Sequence, residues 1–218
     1  MDEEFVFVDE FVSGIRWDAK YATWDNFTGK PVDGYLTNRI VGTKALCAAL
    51  ERAREGAAFL GFGLLLWDGY RPQRAVECFV RWSEQPEDGR TKQRHYPNID
   101  RAAMFEHGYV ASRSAHSRGG TIDLTLFHLE TCELVPMGGD FDLMDAVSRH
   151  GAKGVSLLEA RNRRALPEPG PGGSARRHPS RAGHEHGLPS PAALTPGSGL
   201  ASKSSRSGVH SPSRSSRA

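Results

Sequence analysis

Cysteine is scarce in this chain of 218 residues, with three at positions 47, 78 and 132, odd in number and widely spaced. That spacing excludes a disulfide framework and fits a reducing compartment. Long apolar runs are also missing. The longest, around Leu60–Trp67, falls far short of the roughly 20 residues a spanning helix requires, so no membrane partner is expected. The start, Met1-Asp2-Glu3-Glu4, lacks the basic region of a signal peptide, and a cytoplasmic protein is the expectation. Charge of one sign does not dominate, since the net charge is +2. It is unevenly spread, however. Residues 165–218 carry six Arg and one Lys against Glu168 and Glu185, an excess of five that leaves residues 1–164 at net −3. A folded part that is not basic makes nucleic acid an unexpected partner. Aromatic residues are absent from 165 onward, where Pro, Gly and Ser form more than half of the 54 residues. Such a composition cannot bury enough apolar surface to offset the entropy of ordering it. The expected organisation is one folded domain over 1–164 followed by a disordered tail over 165–218.

What is present before residue 165 reads as a mixed α+β pattern. Phe5-Val6-Phe7-Val8 predicts a short edge strand. Residues 13–40 interleave Trp17, Tyr21, Trp24, Phe27 and Tyr35 with polar residues and no sustained period, which predicts a packed loop able to wall a cleft. Thr43 is placed to cap a helix with the stripe Leu46, Ala49, Leu50, Ala53 and Ala57. Phe62–Trp67 follows as a buried strand, and Pro72 opens a helix whose inward face is Val76, Phe79 and Val80. Residues 83–98 read as a polar loop, Asp100 as the cap of a short helix ended by Gly108, and 127–137 as a hairpin turning near Thr131-Cys132. A last helix begins within 155–164.

Two stretches carry candidate chemistry. In Ser114-Ala-His-Ser-Arg-Gly-Gly-Thr-Ile-Asp-Leu, His116 and Asp123 flank a Gly119-Gly120 bend. After the bend, Thr121, Asp123 and Thr125 alternate with Ile122, Leu124 and Leu126, so Asp123 falls on the polar face of a strand. Ser114 and His116 share a face if their own segment is extended. A neutral imidazole and a carboxylate converging on one point make two of the three protein ligands of a catalytic zinc site. An H-x₆-D pair is equally able simply to tie a hairpin together. In Trp67-Asp68-Gly69-Tyr70-Arg71-Pro72, Arg71 sits at a strand-to-helix corner where it could hold a carboxylate or a developing oxyanion. By itself it could also be no more than a salt bridge to Asp68.

Together these stretches resemble the zinc D-alanyl-D-alanine dipeptidases of vancomycin resistance, within the wider group of D,D-carboxypeptidase-like metallopeptidases. Trp17-Asp18-Ala19-Lys20-Tyr21-Ala22-Thr23-Trp24-Asp25-Asn26-Phe27-Thr28-Gly29 and Leu134-Val135-Pro136-Met137-Gly138 strengthen the likeness, which runs from about Phe5 to Arg164. The resemblance implies a single α+β domain with a central antiparallel sheet flanked by helices. It implies one Zn²⁺ held by His116 and Asp123, with Arg71 steadying the transition state. It further implies that Tyr21, Ser114 and Asp142 position the ammonium of a small D-dipeptide substrate, hydrolysed to two D-alanines as a cell-wall precursor. It leaves a homo-oligomer open.

The likeness breaks where the family supplies its general base and third ligand, a late Glu-x-Trp-Trp-His strand. No such motif exists here, and all four tryptophans lie before residue 83. The tail has the composition of a high-GC frame read out of phase, so a frameshifted C-terminus is expected, leaving a sheet edge uncovered and a poor catalyst. His184 and Glu185 fall near the positions of the missing ligand and base, without the aromatic strand around them. Cys132 stands in a hairpin turn where the family tends to have glycine. The rival readings are an inactive relic that binds zinc or D-peptides without turnover and a related metal D,D-carboxypeptidase.

Overall fold

The apolar run beginning at Phe62 becomes the strand around which the fold is laid. In the computed structural model, residues 4–149 and 151–165 are described, together with the backbone of Ser174–Arg177. All of them fall in the first of two units into which the chain divides, Met1–Gly183 and His184–Ala218. The elements are β1 (Phe5–Phe7), β2 (Arg16–Trp17), β3 (Val41–Thr43), α1 (Lys44–Phe59), β4 (Phe62–Asp68), α2 (Gln73–Ser83), α3 (Lys92–His95), β5 (Thr121–His128), α4 (Leu157–Ala165) and β6 (Ser174–Arg177).

β1 and β3 form an antiparallel ribbon, while the main sheet runs in the order β2-β4-β5-β6. Its central pair, β4 and β5, is antiparallel, and each outer strand lies parallel to its neighbour. The architecture is the expected single α+β domain, with a sheet that is mixed as a whole. Leu64 and Leu66 of β4 join Ile122, Leu124 and Leu126 of β5 in one core that packs Leu46, Cys47, Leu50 and Ala57 of α1. Leu65 and Trp67 turn the other way, into an aromatic core with Tyr21, Phe27, Phe79, Trp82, Tyr96 and Phe141. The face of β5 expected to be merely polar is therefore buried too, with Thr121, Asp123 and Thr125 each no more than 3% exposed. Polar side chains kept from water in this way require partners or a ligand.

The helix signals are met closely. Thr43 caps α1, its hydroxyl accepting from the Leu46 amide at 3.2 Å. Pro72 stands at the N-cap of α2, one residue ahead of the first helical turn, and Val76 and Phe79 face inward. Cys132 takes φ 63° at the tip of the hairpin, where the Arg16 guanidinium donates to its sulfur at 3.1 Å. Three expectations are corrected. Residues 83–98 are not only loop, because α3 lies there with His95 and Tyr96 fully buried. Ser114–Gly119 is not extended but a 3₁₀ turn over Ala115–Arg118, closed by Gly119 at φ 74°. Finally, the edge of β5 is covered, because β6 pairs along it with Asp123 opposite Arg176 in register. Backbone pairing to an open edge needs no apolar side chains, so composition gave no sign of this strand. His184, Glu185 and, apart from the β6 backbone, the other residues past Ala165 lie outside the described residues.

Burial pushes the His95 imidazole down to about 4 from its ordinary 6.5, helped by the positive charge of Arg94. Between those values the unfolded chain binds a proton that the folded chain does not. Stability from neutral His95 is thus complete above pH 6.5 and is lost as pH falls toward 4, by on the order of 3 kcal/mol. Urea unfolding across this window should show the midpoint falling more steeply for the native chain than for His95→Gln.

Candidate active site

The site begins with a fault in the sheet. β4 and β5 pair regularly from Phe62↔His128 to Leu66↔Leu124, then the register shifts and Asp68 stands opposite Asp123. Strict alternation would send Asp68 to the side of Leu66, into apolar packing. The irregularity turns it to the side of Trp67 and Asp123, as bulges do when they re-aim a side chain. Gly69 then brings the chain against β3, where a Cβ would lie 2.4 Å from the Val41 carbonyl oxygen and 2.7 Å from Ile40. Only glycine tolerates that approach.

The Ser114–Gly119 turn delivers His116. Ser114 Oγ accepts from the His116 amide at 3.3 Å, and the His116 carbonyl accepts from the Arg71 amide at 3.3 Å. The ring is wholly buried, and its Nδ1 lies 2.9 Å from the Gly69 carbonyl oxygen. A carbonyl only accepts, so Nδ1 carries the proton and Nε2 presents a lone pair. Nε2 points to Asp123 Oδ1 at 3.5 Å and has no hydrogen-bond partner among the described residues. Burial disfavours charge on His116, but Asp123 and then Asp68 outweigh it, so its pKa ends above the ordinary value.

Arg71 closes the other side. Its Nε and Nη2 donate to Asp68 Oδ2 at 3.0 and 2.6 Å, and Nη2 lies 3.5 Å from Asp123 Oδ2. The salt bridge to Asp68 anticipated from sequence is thus real, and the arginine also reaches a candidate ligand. Tyr35 donates to Asp68 Oδ1 at 2.7 Å. The Arg71 guanidinium packs over the rings of Tyr21 and Phe79, 5.1 and 5.2 Å from their centroids. Burial opposes its charge, yet Asp68 and the surrounding groups raise its pKa well above the ordinary value. Tyr21 donates in turn to Asp142 Oδ2 at 2.6 Å, its phenol held neutral by burial and by the Asp142 charge.

His116, Asp123, Arg71, Tyr21 and Asp142 thus form one connected buried group. Ser114 lies beside it as the cap of the His116 turn. Sequence reasoning missed Asp68 and Tyr35 as parts of the site. The Asp-x-x-Arg spacing at the end of a strand was the available signal for Asp68. Asp68, His116 and Asp123 present ligand atoms within 4.8 Å of one another, all buried. Bonds of about 2.0–2.1 Å to a tetrahedral ion separate neighbouring ligand atoms by about 3.4 Å. The 3.5 Å gap between His116 Nε2 and Asp123 Oδ1 matches that spacing, and the orphaned nitrogen fits a metal better than a hairpin tie.

Asp68 is fully buried and depends on Arg71 for its charge. Removing one partner strands the other, which typically costs about 3–5 kcal/mol. Asp68→Asn and Arg71→Gln should each lose stability on that scale in chemical denaturation. The double variant should lose less than the sum, because neither charge is left alone.

Comparison with known proteins agrees with this geometry. A family model described as D-ala-D-ala dipeptidase matches residues 1–180. The D-alanyl-D-alanine dipeptidase of Streptomyces coelicolor is 75% identical over 166 residues, covering 76% of this chain and 82% of that protein. The protein of the same name from Enterococcus faecalis is 64% identical over the same length and shares. That of Escherichia coli is 32% identical over 152 residues, covering 70% of this chain and 68% of its own length. A chain matched over this span, with a buried His–Asp pair set for a metal, belongs to the D-ala-D-ala dipeptidase family of metallopeptidases.

Proposed function

We propose that this chain is shaped for zinc-dependent hydrolysis of D-alanyl-D-alanine in the cytoplasm, removing a cell-wall precursor and thereby serving glycopeptide resistance. The observation that carries the proposal is His116 Nε2, buried without a hydrogen-bond partner and set 3.5 Å from Asp123 Oδ1 beside Arg71. His116 and Asp123 would hold one Zn²⁺, with Asp68 a second carboxylate nearby. Zinc in such a place polarises a scissile carbonyl and lowers the pKa of bound water.

The rest of the work falls to the chain's own residues. Arg71 keeps its charge whatever the pH and gives two of its three guanidinium nitrogens to Asp68. Its charge, 3.5 Å from Asp123, stands where it could steady an oxyanion forming on the substrate. Asp142, oriented by the Tyr21 hydroxyl, takes the substrate ammonium, and Ser114 lines the approach beside His116. The aromatic rings of Tyr21 and Phe79 keep water from Arg71, which strengthens each of these charge interactions. No helix among the described residues is long and apolar enough to cross a membrane.

The missing Glu-x-Trp-Trp-His strand favours a second reading, in which the chain binds zinc and D-dipeptides with little turnover. His184 and Glu185 are the residues that would have to replace that strand's ligand and base. Zinc titration should show tighter binding by the native chain than by His116→Ala, and equal binding would remove His116 from the site. D-alanine release, assayed with zinc, should be slower than in a version carrying the family's C-terminal strand. The deficit expected from a lost general base is about 10²–10⁴. Equal rates would show that the tail is functional. The division of the chain is tested separately, since limited proteolysis should leave a protected core containing residues 1–164. A protected fragment confined to 184–218 would overturn that division.

A further inference from the structure

The ammonium end of the site rests on two segments that are not strands. Tyr21 lies in a 3₁₀ turn over Lys20–Ala22, and Asp142 in the stretch between the hairpin and α4. Asp142 has φ 53°, a left-handed conformation unfavourable for a non-glycine residue that persists only where its surroundings impose it. Arg94 and His95 of α3, with Thr91 at its N-cap, provide those surroundings. Arg94 Nε donates to Asp140 Oδ2 at 2.7 Å, and the same guanidinium forms an ion pair with Asp25 through Nη1. The His95 carbonyl accepts from the Met144 amide at 2.7 Å, two residues beyond Asp142. On the other side, Thr91 Oγ1 donates to the Phe27 carbonyl at 2.7 Å. One short helix therefore fastens the segment that carries Tyr21 to the segment that carries Asp142.

We propose that Arg94 is a positioning residue for recognition of the substrate's amino end, its guanidinium bridging Asp25 and Asp140 so that Tyr21 and Asp142 meet. This rests on the reading that Asp142 receives the ammonium. Arginine suits the task because its planar fork can satisfy two carboxylates at once, whereas a lysine is a single point charge. Asp25 is held down to about 2, by Lys20 and Arg94 against the effect of burial, so its half of the bridge stays ionised throughout the useful pH range. His95, kept neutral by burial, brings no second positive charge toward the ammonium site.

The test is calorimetric binding of D-alanyl-D-alanine and of its N-acetyl derivative to the full chain with zinc present. The ratio of the two affinities reports the amino end alone. Arg94→Ala should weaken the free dipeptide roughly fivefold to tenfold, the scale of two half-exposed ion pairs, and leave the acetylated one unchanged. Arg94→Lys should fall between the native chain and Arg94→Ala. Asp140→Asn, which removes one arm and leaves α3 intact, should show the same selective loss if Arg94→Ala folds poorly. Equal losses on both ligands, or no loss, would overturn the proposal. Asp142→Asn separates the underlying reading, because it should abolish the preference for a free amine. A preference that survives it defeats the ammonium reading and this proposal together. A preference lost there but untouched in the Arg94 variants defeats the bracket alone.

Discussion

One buried carboxylate, Asp68, holds the site in register. It is fully shielded from solvent, accepts from Arg71 and Tyr35, and lies 3.4 Å from His116 Nδ1. A charge there is tolerable only with a partner, so the sheet irregularity that turns Asp68 inward obliges the chain to bring Arg71 after it. The strand ends where it must for that purpose. Gly69 runs hard against β3, Pro72 opens α2, and the two residues between Asp68 and Arg71 leave no slack. The same corner supplies the Gly69 carbonyl that fixes the His116 tautomer. A ligand's protonation state and an arginine's position are thus set by one five-residue turn.

Much of this was legible in the sequence. The alternation through Ile122, Leu124 and Leu126 identified β5 and put Asp123 on the opposite face, because a period of two survives any environment. Thr43 announced α1, and the glycines after His116 announced the reversal that lets His116 approach Asp123. What sequence could not give were features set by tertiary contact. The Ser114 cap and Gly119 favour a turn locally, but its place is fixed by the Arg71 amide and the Thr43 amide reaching its carbonyls. Polar α3 looks like loop because its work is done by carbonyls and charges toward two distant segments. The shift that aims Asp68 leaves no mark in composition at all.

The stretch past Ala165 shows the difference between a fold's requirements and a site's. β5 needs only backbone partners along its outer edge, and the backbone of Ser174–Arg177 supplies them. A hydrolytic centre needs particular atoms at particular points, and a strand of another composition does not bring them. The outer edge of β5 is thus paired although the sequence contains no Glu-x-Trp-Trp-His motif.

The two ends of the site are then built to different standards. His116, Asp123 and Arg71 are fixed by strands and a turn locked between them, where movement would break buried charge pairs. Tyr21 and Asp142 hang on loops joined by half-exposed ions and one strained residue. Tyr21 and Phe141 anchor these segments in the aromatic core, so movement is cheapest at the half-exposed ion pairs that tie the segments to α3. Where His116 and Asp123 hold a metal and Asp142 takes the ammonium, as proposed, the span between the two ends would set how long a peptide can be, and the loops would read it. Under the proposed function, selectivity for a dipeptide over a longer chain is therefore the property most open to change by substitutions remote from His116 and Asp123.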